Sequence, residues 1–100
     1  MTVDLRAINA VTAPMAWPIP HLEVVMENLE GSKCYFSLDC FRFYRQLPLD
    51  EGSRDYFTVV TPSGLFTATR VIMGSTYAVA YAQQVAEKVM KPVLGNGVQV

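Results

Sequence analysis

The sequence predicts a single α+β unit, and two observations predict it. Residues 56–61 and 65–73 are rich in Thr, Val and aromatic side chains and flank Pro62-Ser63-Gly64, the composition of a β-hairpin with turn chemistry in the right place. Residues 22–29 and 76–90 carry apolar side chains at helical spacing and lie on either side of that hairpin. No repeat and no linker divides the 100 residues, a length that suits one small domain.

In chain order, Thr2-Val3-Asp4-Leu5 reads as a short strand. Pro14, Pro18 and Pro20 surround Trp17, so residues 11–20 form an extended connector. Leu22, Val25, Met26 and Leu29 recur at i, i+3, i+4 and i+7, with Pro20 suited to the first turn and Gly31 placed as a C-terminal cap. Lys33 to Asp39 alternates as a strand, with Cys34, Phe36 and Leu38 on one face and Tyr35, Ser37 and Asp39 on the other. Residues 41–46 form a short turn or helix closed by Pro48. After the hairpin and Gly74, Ser75 or Thr76 is placed to cap a helix that runs to about Met90. Ala78, Ala82, Val85 and Val89 stripe one face of it, and Pro92 marks its end. Gly95-Asn96-Gly97 is a turn, and Val98-Gln99-Val100 begins a last strand.

Composition sets limits on partners. Half the chain is apolar, which is globular usage, yet no run approaches the roughly 18–20 residues that span a bilayer. The first residues hold an acid and no apolar stretch of the kind a secretory signal has, so a membrane or secreted role is not expected. The net charge is -1, and the eight basic residues are scattered, unlike a dedicated nucleic-acid-binding module with a positive face. Cys34 and Cys40 are too few for a disulfide framework, and with His21 the only histidine no zinc cluster is in sight. They read as free, mostly buried thiols.

Chemistry points to Asp39. A carboxylate at the end of a strand is placed to hold a hard cation such as Mg²⁺, which takes oxygen ligands. The competing reading is a turn or cap aspartate, since Asp is common wherever strands end. Tyr44 has its own ordinary reading as a core aromatic with a satisfied hydroxyl, and Gly74 as a residue that permits a tight turn.

Six segments in order resemble the reverse transcriptases of gypsy-type LTR retrotransposons. Val3-Asp4-Leu5-Arg6-Ala7-Ile8-Asn9 is similar to their VDYRxLN, and Trp17-Pro18-Ile19-Pro20 to their YPIP. The 22–29 helix ending at Gly31 matches the helix that follows there. Phe36-Ser37-Leu38-Asp39 with Tyr44-Arg45-Gln46-Leu47 resembles FSKLDLxxGYxQI, the first metal-binding motif. Thr61-Pro62-Ser63-Gly64-Leu65-Phe66 resembles TPDGxYxF, and Met73 to Ala78 with Gln83 resembles FGLTNAPxxFQ.

The resemblance implies a partial right-hand polymerase, an incomplete ferredoxin-like palm carrying a fingers β-hairpin. Asp39 would be the catalytic metal ligand for two Mg²⁺ ions, with Mn²⁺ as a substitute, that activate a primer 3′-hydroxyl and stabilise pyrophosphate. Cys40, Phe41, Arg42, Phe43 and Tyr44 would face the incoming nucleotide, with the backbone N–H groups of Arg42 and Phe43 towards the triphosphate. The Tyr44 ring would exclude a 2′-hydroxyl, and Met73 and Gly74 would border the pocket. Arg6 and Gln46 are read as structural, Arg6 through an ion pair or as a fingers residue. The implied partners are an RNA or DNA template with primer, dNTPs and the remainder of a Pol polyprotein. The implied location is intracellular, in a cytoplasmic particle or the nucleus.

The resemblance also sets expectations about what is missing. The second motif, an aromatic-x-Asp-Asp turn, would begin after Val100, and the thumb and RNase H region would likewise lie outside these 100 residues. One carboxylate binds Mg²⁺ poorly, so the chain alone is expected to lack polymerase activity. Arg42-Phe43 stands where the family has a small residue and Gly, which predicts an obstructed pocket or a different turn. Two rival readings are a degenerate, non-catalytic remnant of a retroelement and a small α+β interaction domain without nucleotide chemistry.

Overall fold

The computed structural model describes residues 2–100. Four helices are formed: α1 (Arg6–Val11), α2 (Leu22–Leu29), α3 (Phe43–Gln46) and α4 (Ala78–Met90). A stretch of 3-10 turns (Glu51–Phe57) precedes one antiparallel hairpin of β1 (Thr58–Thr61) and β2 (Gly64–Thr67). The small α+β architecture expected from the sequence is therefore present.

Residues 2–5 are not a strand, because no second strand pairs with them, and a helix follows at once. Leu5 is buried, and its carbonyl accepts the Asn9 N–H at 2.9 Å, which starts α1. Asp4 Oδ1 accepts the Arg6 backbone N–H at 3.0 Å, satisfying one of the donors a helix start leaves open. The Arg6 guanidinium also grips the same carboxylate, its Nη2 lying 2.7 Å from Oδ2, which is the structural ion pair expected of Arg6. Hydrogen bonds from Arg6 hold the Asp4 carboxyl below its ordinary range. A depressed carboxyl stabilises the fold above its unfolded pKa, and that contribution fades as pH falls through the lower folded value. Both side chains are exposed, so the effect on stability is small. The expected observation is spectroscopic: Arg6→Ala returns the Asp4 titration, followed by carboxyl NMR shifts, to the ordinary carboxylate range.

Helix α2 has the bounds its periodicity predicts, and Gly31 follows it in the left-handed region at φ 84°. The Tyr35 hydroxyl is shared between the Leu29 and Ser32 carbonyls at 2.8 and 2.9 Å, which folds the chain back on the helix end. Residues 33–39 run without strand pairing, contrary to expectation, and every residue from Gly31 to Arg42 is exposed. Alternation makes a segment competent for a sheet, but a strand exists only where a neighbour accepts its backbone hydrogen bonds. The thiols of Cys34 and Cys40 are free, as expected, but they are exposed rather than buried because they lie on this uncovered segment.

The hairpin pairs Thr58 with Thr67, Val59 with Phe66, Val60 with Leu65 and Thr61 with Gly64. The Thr58 and Thr67 hydroxyls lie 2.8 Å apart across it. Both strands are shorter than expected. Tyr56 and Phe57 belong to the 3-10 turns, and after Ala68, whose N–H donates to the Phe57 carbonyl at 3.2 Å, the chain changes partner. Leu49 N–H donates to the Thr69 carbonyl at 3.0 Å, and Val71 N–H donates to Leu47 at 2.9 Å, with a bridge between Pro48 and Arg70.

That change of partner builds the core. Leu47, Val71, Ala78 and Ala82 are buried together, with Phe43, Tyr44, Leu49, Tyr81 and Val85 packed around them. The small alanines let α4 approach closely, and Ala78 is only 1% exposed. Ala78, Ala82 and Val85 of the expected stripe face this core, whereas Val89 is exposed. The cap is Tyr77, without a side-chain bond, rather than Ser75 or Thr76. Trp17 Nε1 donates to Glu87 Oε2 at 3.1 Å, tying the Pro-rich connector to α4. Gln83 Nε2 donates to Glu87 Oε1 at 3.0 Å and to the Val100 carbonyl at 2.9 Å. Near the end, Leu94 and Val98 form one parallel bridge in place of the expected strand.

The molecule measures 55 × 25 × 22 Å with a radius of gyration of 17.0 Å, against about 13 Å for a compact domain of this size. Its accessible surface is 8252 Å², against roughly 5,700 Å² for a folded monomer of this mass. Much of the excess is apolar: Phe36 is 87% and Leu38 81% exposed. No helix among the described residues is long and apolar enough to cross a membrane.

Candidate functional site

The residues singled out from the sequence fall on two segments. The first, Asp39 to Tyr44, leads from the extended run into α3. The second, Met73 and Gly74, lies on the loop that enters α4. The backbone bond from Val71 to Leu47 and the shared core join them. Phe43 and Tyr44 pack against the cluster that contains Val71 and Ala78, so both segments are anchored to one small set of buried side chains.

Within the first segment, Asp39, Cys40, Phe41 and Arg42 are exposed, while Phe43 and Tyr44 are half-buried. No hydrogen bond or ion pair among the described residues involves the Asp39 carboxylate, which leaves its oxygens open to a ligand. As a hard anionic oxygen donor it is the right type for Mg²⁺. The donor set stops there: no group of three or more His, Cys, Asp or Glu side chains among the described residues could hold a metal ion. Asp39 can therefore be one ligand of a site completed by others, not a site by itself.

The turn that follows has an unusual backbone. Arg42 has φ 49° and ψ 44°, the only left-handed non-glycine among the described residues. For an L-residue that costs roughly 1–2 kcal/mol relative to right-handed geometry. Stacking of its guanidinium 4.9 Å from the Phe41 ring centroid offsets about 0.5–1 kcal/mol at an exposed site. Arg45 N–H donates to the Arg42 carbonyl at 2.9 Å, and Gln46 Nε2 donates to the Phe41 carbonyl at 2.6 Å, so Gln46 closes the turn in the structural role expected of it. In this turn the left-handed residue is Arg42, and Phe43 is already helical.

In the second segment, Met73 is exposed and Gly74 takes φ 95°, a conformation that favours glycine. Ser75 N–H donates to the Ile72 carbonyl at 3.2 Å and Ala78 N–H to Ser75 at 3.0 Å. Asn9 reaches this loop from α1: its Nδ2 donates to the Gly74 carbonyl at 2.9 Å, and its Oδ1 accepts the Thr76 N–H at 3.0 Å. Sequence reasoning assigned Asn9 no role. It stood inside a motif, but its partners lie 65 and 67 residues away. A shallow groove between the connector and the start of α4, lined by Trp17, Ile19, Thr76 and Val79 among others, lies beside this loop. A second, apolar groove between α2 and residues 35–37 contains none of the expected site residues.

Comparison with known proteins follows the same lines. The model of the family described as reverse transcriptase (RNA-dependent DNA polymerase) matches residues 1–100. The chain is 31% identical over 74 residues to the retrovirus-related Pol polyprotein from transposon 412 of Drosophila melanogaster, covering 74% of this chain and 6% of that protein. It is 26% identical over 96 residues to the Pol polyprotein from transposon 297 of the same organism, covering 96% of this chain and 9% of that protein. With the Pol polyprotein from Drosophila transposon gypsy it shares 25% over 96 residues, again 96% of this chain and 9% of the other. The chain thus spans less than a tenth of the length of these relatives. No solved structure matches it significantly.

Proposed function

Because the chain belongs to the reverse transcriptase (RNA-dependent DNA polymerase) family, we propose that it forms the nucleotide-facing part of a retrotransposon polymerase within a larger Pol polyprotein. In that protein, template-directed dNTP addition to a primer 3′-hydroxyl would use Asp39 as one metal ligand, with Cys40 to Tyr44, Met73 and Gly74 around the nucleotide. The observation that carries this reading is the open Asp39 carboxylate at the head of a turn that shares its anchoring core with the Gly74 loop. The segment 33–39 and α4 would belong to the palm and the β1–β2 hairpin to the fingers. The second pair of acids, the thumb and the RNase H region would lie outside these 100 residues.

When bound, Mg²⁺ supplies positive charge that stabilises phosphoryl transfer. This chain contributes one hard oxygen ligand at Asp39 and an aromatic wall at Tyr44, whose ring is held by the core packing beneath it. An aromatic wall fixed in this way discriminates by shape against a sugar carrying a 2′-hydroxyl. Tyr44→Val is expected to raise ribonucleotide incorporation relative to deoxyribonucleotide by about tenfold or more, measured as the ratio of kcat/KM values. An unchanged ratio would remove Tyr44 from the sugar pocket.

The direct test compares two purified polypeptides with primer–template, dNTPs and Mg²⁺. The Pol polypeptide that includes this chain and the sequence after it is expected to extend the primer. The 100-residue chain alone is expected not to, for want of metal ligands. Extension by neither would sink the proposal.

A further inference from the structure

We propose that Asn9 is a positioning residue whose side-chain amide clamps the Gly74 loop and thereby fixes one wall of the nucleotide site; this deepens the reading above and rests on it. Both polar atoms of the Asn9 amide are engaged with that loop, Nδ2 with the Gly74 carbonyl at 2.9 Å and Oδ1 with the Thr76 N–H at 3.0 Å. The pair copies the exchange of donor and acceptor that one residue makes with a neighbouring strand. The loop has need of it. Thr76 precedes α4, where an N–H has no partner inside the helix, and neither Ser75 nor Thr76 supplies a side-chain cap.

Other bonds of the loop, from Ser75 to Ile72 and from Ala78 to Ser75, are short-range turn bonds that do not tie it to another element. Asn9 comes from α1, which is seated by buried Leu5, so the clamp links the loop to a different part of the fold. Residue chemistry is restrictive at this position. Aspartate has no donor for the Gly74 carbonyl, and a serine oxygen is too short to replace a planar group that bonds at two points. Gly74, at φ 95°, already uses a conformation open mainly to glycine, so its carbonyl direction depends on what holds it.

The clamp is read first in the full chain by amide hydrogen exchange. Asn9→Ala is expected to speed exchange at Thr76 by about tenfold, leaving the core amide of Val71 unchanged. Asn9→Asp keeps the acceptor for Thr76, so the Thr76 amide shift should follow the titration of the introduced carboxylate, a signature that general destabilisation does not produce. The positioning role is read in the Pol polypeptide: Asn9→Ala should raise KM for dNTP about tenfold with kcat held within about twofold. Unchanged exchange at Thr76 would overturn the clamp. Faster exchange with unaltered KM would overturn the link to the nucleotide. A wild-type polypeptide unable to extend primer would overturn the polymerase reading and this extension of it together, while the exchange result would still decide the clamp.

Discussion

Asp39→Asn in the Pol polypeptide is expected to lower primer extension on the order of a thousandfold, the scale of losing one preorganised electrostatic contact to a transferring phosphoryl group. Asparagine keeps the shape and one oxygen but removes the charge that a hard divalent cation requires. The side chain is exposed and has no hydrogen-bond or ion-pair partner among the described residues, so the substitution should leave stability within about 0.5 kcal/mol. That separation makes the experiment decisive. Primer extension by steady-state assay is compared with denaturation midpoint for the same preparations. A variant that keeps wild-type rates would remove Asp39 from the metal site, and one that unfolds would show a structural role that the geometry does not suggest.

The second large effect concerns Leu47. Leu47→Ala is expected to cost about 2–5 kcal/mol, the range for deleting a buried leucine side chain. Leu47 is 4% exposed and belongs to the cluster with Val71, Ala78 and Ala82. Its carbonyl also receives the Val71 N–H, so it lies where the chain switches from the hairpin to the core. Only six apolar residues of the described chain are buried, and no large side chain among the described residues is fully enclosed, so few other contacts can compensate. A loss of this size is comparable to the whole stability of a small domain. Urea titration followed by far-UV circular dichroism would show the midpoint fall or the transition disappear, and a shift equivalent to less than about 1 kcal/mol would mean that this cluster is not the core.

What the sequence revealed was whatever is local. Helix α2 was readable because its apolar spacing and Gly31 are short-range signals, and α4 because Ala78, Ala82 and Val85 repeat at helical intervals. The β1–β2 turn was readable from Pro62-Ser63-Gly64. Strand pairing was not. Residues 33–39 carry the right alternation but have no neighbour, and residues 69–71 leave the hairpin to pair with 47–49, a choice that depends on packing distant in sequence. Helix α1 was missed because six residues give hardly more than one period, and its start is set by the Asp4–Arg6 grip rather than by a pattern. Within the candidate site, residue type and position pointed to a metal-ligand reading for Asp39, while the readings of Tyr44 and Gly74 came from the family resemblance. The left-handed backbone of Arg42 and the Asn9 clamp were invisible, since one is a local conformation that residue type does not announce and the other joins α1 to the α4 loop.

Trp17 is the one tryptophan in the chain, and its indole N–H is held by Glu87. Its fluorescence therefore belongs to a single, identifiable place. When the proline-rich connector lies on α4, the indole is partly shielded; when the two separate, it meets bulk water and its emission moves to longer wavelength. The molecule thus carries its own optical gauge of connector docking, with no label attached and no second emitter of its kind to confuse the signal.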